Sequence, residues 1–210
     1  MTIDLHPETR LHISTFHGVH SANDWGRHFF EYLLRKFPEN FEKNLWHFSP
    51  VDYGRLWAAV CWLPFFKNLI IQYTGRTLAY YQLKYNQAKK VILAHSYGAF
   101  AVVEALKIYR ELRADILILT GSVAYEDTPW TSIAETGGIG KVYNFMGGRD
   151  FIQLCAGSVG LGKSGHRGFK DLANGLIQNI KKSDFDHDDF LKNFGRFERI
   201  ILEVSTSENL

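Results

Sequence analysis

Lys89 to Phe100 reads KKVILAHSYGAF, and the assignment of this stretch decides the fold. Val91, Ile92, Leu93 and Ala94 form a short continuous apolar run, as a strand buried on both faces does. His95, Ser96 and Tyr97 make a turn, and Gly98 leads into a run of helix-formers up to Arg110 in which Ala99, Val102, Val103 and Leu106 share one face. A serine between a buried strand and a helix has two readings: the N-cap of an ordinary connection, or a nucleophile displayed on a strained elbow. The elbow requires small residues two positions to either side, because larger ones collide with the neighbouring strand and helix. Here those positions hold Ala94 and Gly98.

Working outward, β-like runs recur along the chain: LHISTF from 11, NLWHF from 44, DILILT from 115, KVYNFM from 141 and RIILEV from 199. Helical patterns lie between them. Trp25, Phe29, Leu33 and Phe37 fall four apart with Phe30 and Leu34 beside them, Ser21 or Asn23 can cap the start, and Pro38 ends the run. Strands alternating with helices predict a three-layer α/β/α arrangement around a mainly parallel sheet of about six strands. With no repeat, low-complexity tract or linker, a single domain over residues 1–210 is the expectation. A domain of this size hides roughly 70% of the surface its unfolded chain exposes, so it needs no staples.

Twenty-four basic side chains against 22 acidic ones give a net charge of +2, which offers no electrostatic footprint for nucleic acid. Two cysteines, Cys61 and Cys155, are a poor framework for a secreted protein, and the opening MTIDLHPETR lacks the basic-then-apolar pattern of a signal peptide. A cytoplasmic location is expected. The most apolar stretch, Leu56 to Phe66, is about half the roughly 20 residues that a spanning helix needs, so no membrane segment is expected.

A serine nucleophile needs a base and an orienting acid. Asp150 follows the KVYNFM run after two glycines, and Glu126 and Asp127 follow the preceding run as reserve acids. His166 and His187 are the histidines downstream of Asp150. His187 sits in DFDHDDF, beyond a candidate strand at 176–180, although the run from Phe169 to Lys181 reads equally as a helix. Upstream, STFHGVH ends the first β-like run with His17 and Gly18.

AHSYG, the HG pair, NFMGGRD and HDDF occur in an order that resembles the α/β-hydrolase superfamily, specifically its small lipase/esterase-like members, over roughly residues 11–203. The resemblance implies Ser96 as nucleophile, Asp150 as acid and His187 as base, with His166 as the alternative. It also implies an oxyanion hole from the backbone N–H groups of Val19 and Tyr97, with His17 and Gly18 leading into the substrate-facing loop. The chain departs from the fuller pattern by having alanine at the first glycine of GxSxG and by starting almost at the HG strand. It has no stretch long enough for a separate cap domain. Between Phe48 and Phe66, Trp57 and Trp62 either pack on the sheet or form an apolar substrate-binding rim. The expected activity is hydrolysis of small-molecule carboxylic esters of short to medium acyl length, without a cofactor. A non-catalytic hydrolase-fold module that binds lipid or protein through residues 48–66 is the other class.

Two further motifs compete. GSVGLGKS, Gly157 to Ser164, matches the GxxxxGK[ST] phosphate loop, and FIQLCA before it reads as the strand such a loop requires, which would make the chain a nucleotide-binding protein. Against this, Lys163 and Ser164 are followed by Gly165, His166, Arg167 and Gly168, which is poor helix chemistry. Asp184, Asp186 and Asp188 alternate like the start of a calcium loop, but Asp189 and Gly195 stand where such a loop needs glycine and glutamate. With no HExxH or paired-cysteine spacing, no metal is expected.

Overall fold

The apolar runs form parallel strands whose alternate side chains feed two separate cores. In the computed structural model, which describes residues 7–18, 24–52 and 63–206, these strands are β1 (Leu11–Phe16), β2 (Trp46–Val51), β3 (Lys89–His95), β4 (Ala114–Thr120), β5 (Ile139–Gly147) and β6 (Ile177–Lys182). They make a six-stranded sheet in the order β2-β1-β3-β4-β5-β6, every pair parallel, with Ile13 opposite Phe48 on one side and Val91 on the other. The chain order reverses at β1 and β3. Ligands of open α/β sheets bind at such a reversal, outside the carboxyl ends of the strands.

Leu11, Ile13, Val91, Leu93, Ile116, Ile118 and Phe145 face one core, closed by helices α1 (Asp24–Lys36) and α8 (Gly195–Thr206). Ile92, Ala94, Leu117, Leu119 and Val142 face the other, closed chiefly by α3 (Pro64–Lys84) and α4 (Tyr97–Ile108). Short helices α2 (Pro38–Glu42), α5 (Trp130–Glu135), α6 (Phe151–Ala156) and α7 (Ser164–Arg167) complete the connections. The result is the expected three-layer α/β/α architecture. In α1 the residues spaced by four behave as predicted, with Trp25, Phe29 and Leu33 buried. Its candidate caps, Ser21 and Asn23, lie outside the described residues, as do Val19, Trp57 and Trp62.

One expected strand, and the strand that the phosphate-loop reading required, are helices. RIILEV lies inside α8, because Phe197, Ile200, Ile201 and Val204 recur at i, i+3, i+4 and i+7 and bury one helical face against Phe29 and Phe145. The sixth strand is instead IQNIKK, β6, whose mixed polar composition suits the sheet edge it occupies. FIQLCA is helix α6. Among the described residues no helix is long and apolar enough to cross a membrane.

Candidate active site

The turn after β3 is strained in the manner an elbow demands. Ser96 has φ 55° and ψ −120°, a region that residues with a Cβ rarely adopt, and its N–H is tied to the Thr120 carbonyl at 2.9 Å. Gly98 is obligatory: a Cβ there would lie 2.6 Å from the backbone oxygens of both Phe16 and His17. Gly18 is required for a similar reason, since its Cβ would come within 2.7 Å of Ser96 Cβ. Ala94, fully buried, fills the position where the fuller motif has glycine.

Three side chains from segments that follow three different strands, β3, β5 and β6, converge at this turn. The Ser96 hydroxyl donates to His187 Nε2 at 2.8 Å, and His187 Nδ1–H donates to Asp150 Oδ2, also at 2.8 Å. An ionised carboxylate accepts only, so the proton of the neutral ring sits on Nδ1 and the lone pair of Nε2 faces the hydroxyl. Asp150 is 1% exposed, Ser96 6% and His187 8%, so the relay is largely shielded from water. Tyr97 opens α4, which puts its N–H in the first helical turn beside Ser96, at the positive end of the helix dipole.

Glycines shape the His187 loop. Gly121 (φ 51°) lies against the His187 ring, where a Cβ would approach Cε1 and Nδ1 to 2.9 Å. Gly147 and Gly148 let the end of β5 run close to residues 183–186, and Arg149 N–H donates to the Phe185 carbonyl at 3.0 Å. The loop is further set by Asp186, whose Oδ1 accepts from the N–H groups of Asp188 and Asp189 at 3.1 Å each. Phe190 is buried against Phe145 and Phe185.

The other candidates are placed elsewhere. His166 sits on α7, its N–H on the Lys163 carbonyl, while Glu126 is engaged by Lys163 N–H at 3.2 Å and by Arg167 at 3.8 Å. Asp127 is exposed in a turn. His17 is buried, with Nδ1 donating to the Gly18 carbonyl at 2.6 Å and Nε2 3.0 Å from Asp52 Oδ1, which joins the ends of β1 and β2. The phosphate-loop motif is committed internally: the N–H groups of Leu161, Gly162, Ser164 and Gly165 donate to the carbonyls of Ala156, Val123, Ala124 and Ser122. A phosphate cradle needs those N–H groups pointing at the ligand. A short helix, α7, does begin at Ser164 despite the poor helix chemistry of its sequence, but the preceding segment is α6 rather than a strand, so the nucleotide-binding reading lacks the strand and the open cradle.

Sequence reasoning missed His95. It is 1% exposed, its Nδ1 lies 3.1 Å from Thr120 Oγ1, its Nε2 lies 3.3 Å from Asp188 Oδ1, and its ring centroid is 4.7 Å from that of His187. Burial holds its pKa below the usual histidine value, while contact with His95 holds the Asp188 carboxyl below the usual carboxylate range. Its place next to Ser96 was visible in the sequence, but its partners are 25 and 93 residues away in the chain. His95, His187 and Asp188 offer donor atoms within 4.8 Å of one another, the arrangement among the described residues closest to a metal site. Both His187 nitrogens, however, are already committed to Ser96 and Asp150.

No protein-family model and no curated protein sequence matches the chain. Its fold does match solved structures. A predicted CIB-like hydrolase from Thermoplasma acidophilum aligns with a TM-score of 0.53 at 14% identity, covering 94% of this chain and 87% of that one. TT1662 from Thermus thermophilus aligns with a TM-score of 0.56 at 14% identity over 97% and 92%. RedJ thioesterase, from the prodiginine biosynthetic pathway of Streptomyces coelicolor, aligns with a TM-score of 0.50 at 13% identity over 94% and 86%. With its six parallel strands and the helices that cover both faces, the chain has the α/β-hydrolase fold, in a minimal version.

Proposed function

We propose that the protein is a serine hydrolase that cleaves carboxylic esters through an acyl-enzyme. The observation that carries this reading is the Ser96–His187–Asp150 relay, two 2.8 Å hydrogen bonds that end on a serine held in a strained strand-to-helix turn. Nε2 of His187 takes the hydroxyl proton as Ser96 Oγ attacks the ester carbonyl, and the resulting imidazolium gives that proton to the departing alcohol. Asp150 keeps the ring in the tautomer that accepts from serine and stabilises the imidazolium. The N–H groups of Tyr97 and Val19 are assigned to the oxyanion, where fixed dipoles need no reorganisation; losing one such donor typically costs about 100- to 1,000-fold in rate. Water then repeats the sequence on the acyl-enzyme and releases the acid.

A fluorophosphonate probe tests the reading directly. The expected result is one adduct on folded protein, mapped by peptide mass to Ser96 and abolished by Ser96→Ala. Absence of any adduct at high probe concentration overturns the assignment. A parallel panel of esters and thioesters of equal acyl length reads the leaving-group class, which the triad geometry itself leaves equivalent.

A further inference from the structure

His95 belongs to none of the steps above, yet it is buried at their centre and contacts the residue that follows the base. We propose that His95 and Asp188 form a positioning pair that fastens the His187 loop to the nucleophile turn, with Thr120 selecting the His95 tautomer that makes the fastening possible. The inference rests on the proposed hydrolase reading, because His187 is the group being positioned.

The chemistry of the three partners leaves one consistent arrangement. The Asp188 carboxylate offers no proton, so the 3.3 Å contact requires a hydrogen on His95 Nε2. A neutral ring then presents a lone pair at Nδ1, and the Thr120 hydroxyl, 3.1 Å away, is the donor that satisfies it. Thr120 also accepts the Ser96 N–H through its carbonyl, so one residue at the end of β4 fixes both the elbow and the ring beside it. Asp188 is adjacent in sequence to His187, and Ser96 is adjacent to His95. A contact between Asp188 and His95 therefore sets the spacing of His187 and Ser96 from outside the relay. The base loop follows β6, the sheet edge, while the nucleophile follows the central β3. Within the sheet β4 and β5 separate the two strands, so the His95–Asp188 contact adds a direct tie beside the Ser96–His187 hydrogen bond itself. Misplacement of a reacting group by about 1 Å costs on the order of 100-fold in rate.

The variants are Asp188→Ala, Asp188→Asn, Thr120→Val and Thr120→Ser. Asn keeps an oxygen that accepts from Nε2–H, and Ser keeps the donor to Nδ1. The expected result is a fall in kcat of about 10- to 100-fold in Asp188→Ala and in Thr120→Val, with KM changed less than about twofold, on the scale set by such misplacement. Asp188→Asn and Thr120→Ser should recover most of that loss. The double variant Asp188→Ala/Thr120→Val should be no worse than the poorer single, since both act through one ring. Nitrogen-15 spectra of histidine-labelled protein read the tautomer without reference to activity: protonated Nε2 on His95 in the parent, with loss of that preference in Thr120→Val. Equal kcat for parent and Asp188→Ala, or a His95 protonated on Nδ1 in the parent, overturns the pair and leaves the hydrolase reading intact. A parent whose Ser96 resists the fluorophosphonate probe rejects the hydrolase reading, and the positioning role with it.

Discussion

At the scale of single residues, the two histidines that the sequence left in competition are separated by their neighbours. His187 touches both Ser96 and Asp150, whereas His166 lies on α7. His187→Ala is expected to reduce ester turnover by roughly 10³-fold or more, since members of a relay act as a unit, and His166→Ala should cost far less; steady-state kinetics on both variants would reveal a reversed assignment. A third histidine is expected to contribute to the pH dependence of stability. His12 is buried on β1, stacked on Tyr85 at 4.6 Å and bonded through Nε2 to Ser49 Oγ at 3.0 Å. Burial, aided by His47, Lys90 and Lys84, lowers its pKa to about 3. The unfolded chain takes up this proton near the ordinary value of 6.5, so the contribution is fully present above that pH. It is lost as the pH falls towards 3, with a slope of up to about 1.4 kcal/mol per pH unit. Denaturant titrations at pH 7 and pH 5 should show His12→Gln losing less stability than the parent over that interval. Equal losses would remove His12 from the account.

At the scale of elements, the elbow illustrates how a short motif becomes legible. Ala94, Ser96 and Gly98 could be read as an elbow because the steric demand is local, and the structure supplies the obstacle: the carbonyl oxygens of Phe16, the last residue of the adjacent β1, and of His17 just after it. Neither is the end of a flexible side chain, so Gly98→Ala must displace the strand or the helix. A loss of about 1–3 kcal/mol, typical of overpacking, is expected in thermal or denaturant unfolding, together with a larger proportional loss of turnover because Ser96 shares the turn. An unchanged midpoint would contradict the contact. Elements set by remote partners were harder to read. RIILEV has the composition of a strand, but its apolar residues have helical spacing, and the partners that decide the matter, Phe29 and Phe145, lie far away in sequence. FIQLCA was ambiguous at six residues, a length too short for periodicity to separate helix from strand. Order and resemblance put forward Asp150 and His187 as candidates, and the structure brings both side chains to Ser96. The contacts of Gly121 and His95 could not be read in that way, because the residues that pack on them are remote in sequence.

At the scale of the whole molecule, exposed apolar residues that follow strand carboxyl ends are the surface proposed to choose the substrate. Phe65, 68% exposed near the start of α3, and Phe151 and Ile152, exposed just after Asp150, lie on connections that follow strand carboxyl ends. Lys67, one turn into α3, reaches the Gly160 carbonyl at 2.7 Å and sits 5.4 Å from the Phe100 ring, which ties this helix start to the first turn after Ser96. A wall on one side of a cleft rewards each added methylene by about 0.8 kcal/mol, nearly fourfold, only while carbons still reach it. The ratio kcat/KM should therefore peak at short to medium acyl esters and flatten in Phe65→Ser. A maximum at long-chain esters, or a profile indifferent to Phe65, would reject the wall.

The strand order has a consequence for how activity is born. All five strand pairings are parallel, so none can form through a local hairpin, and every one waits on a crossover. Ser96 and His187 are 91 residues apart, and the second arrives only with the loop beyond the edge strand β6. A chain made from its N-terminus therefore contains Ser96 and the first five strands before it contains His187, the proposed base. On the proposed reading, acylation of Ser96 has to wait for the segment beyond β6, so the part of the chain made after the six strands would also be the part that switches the site on.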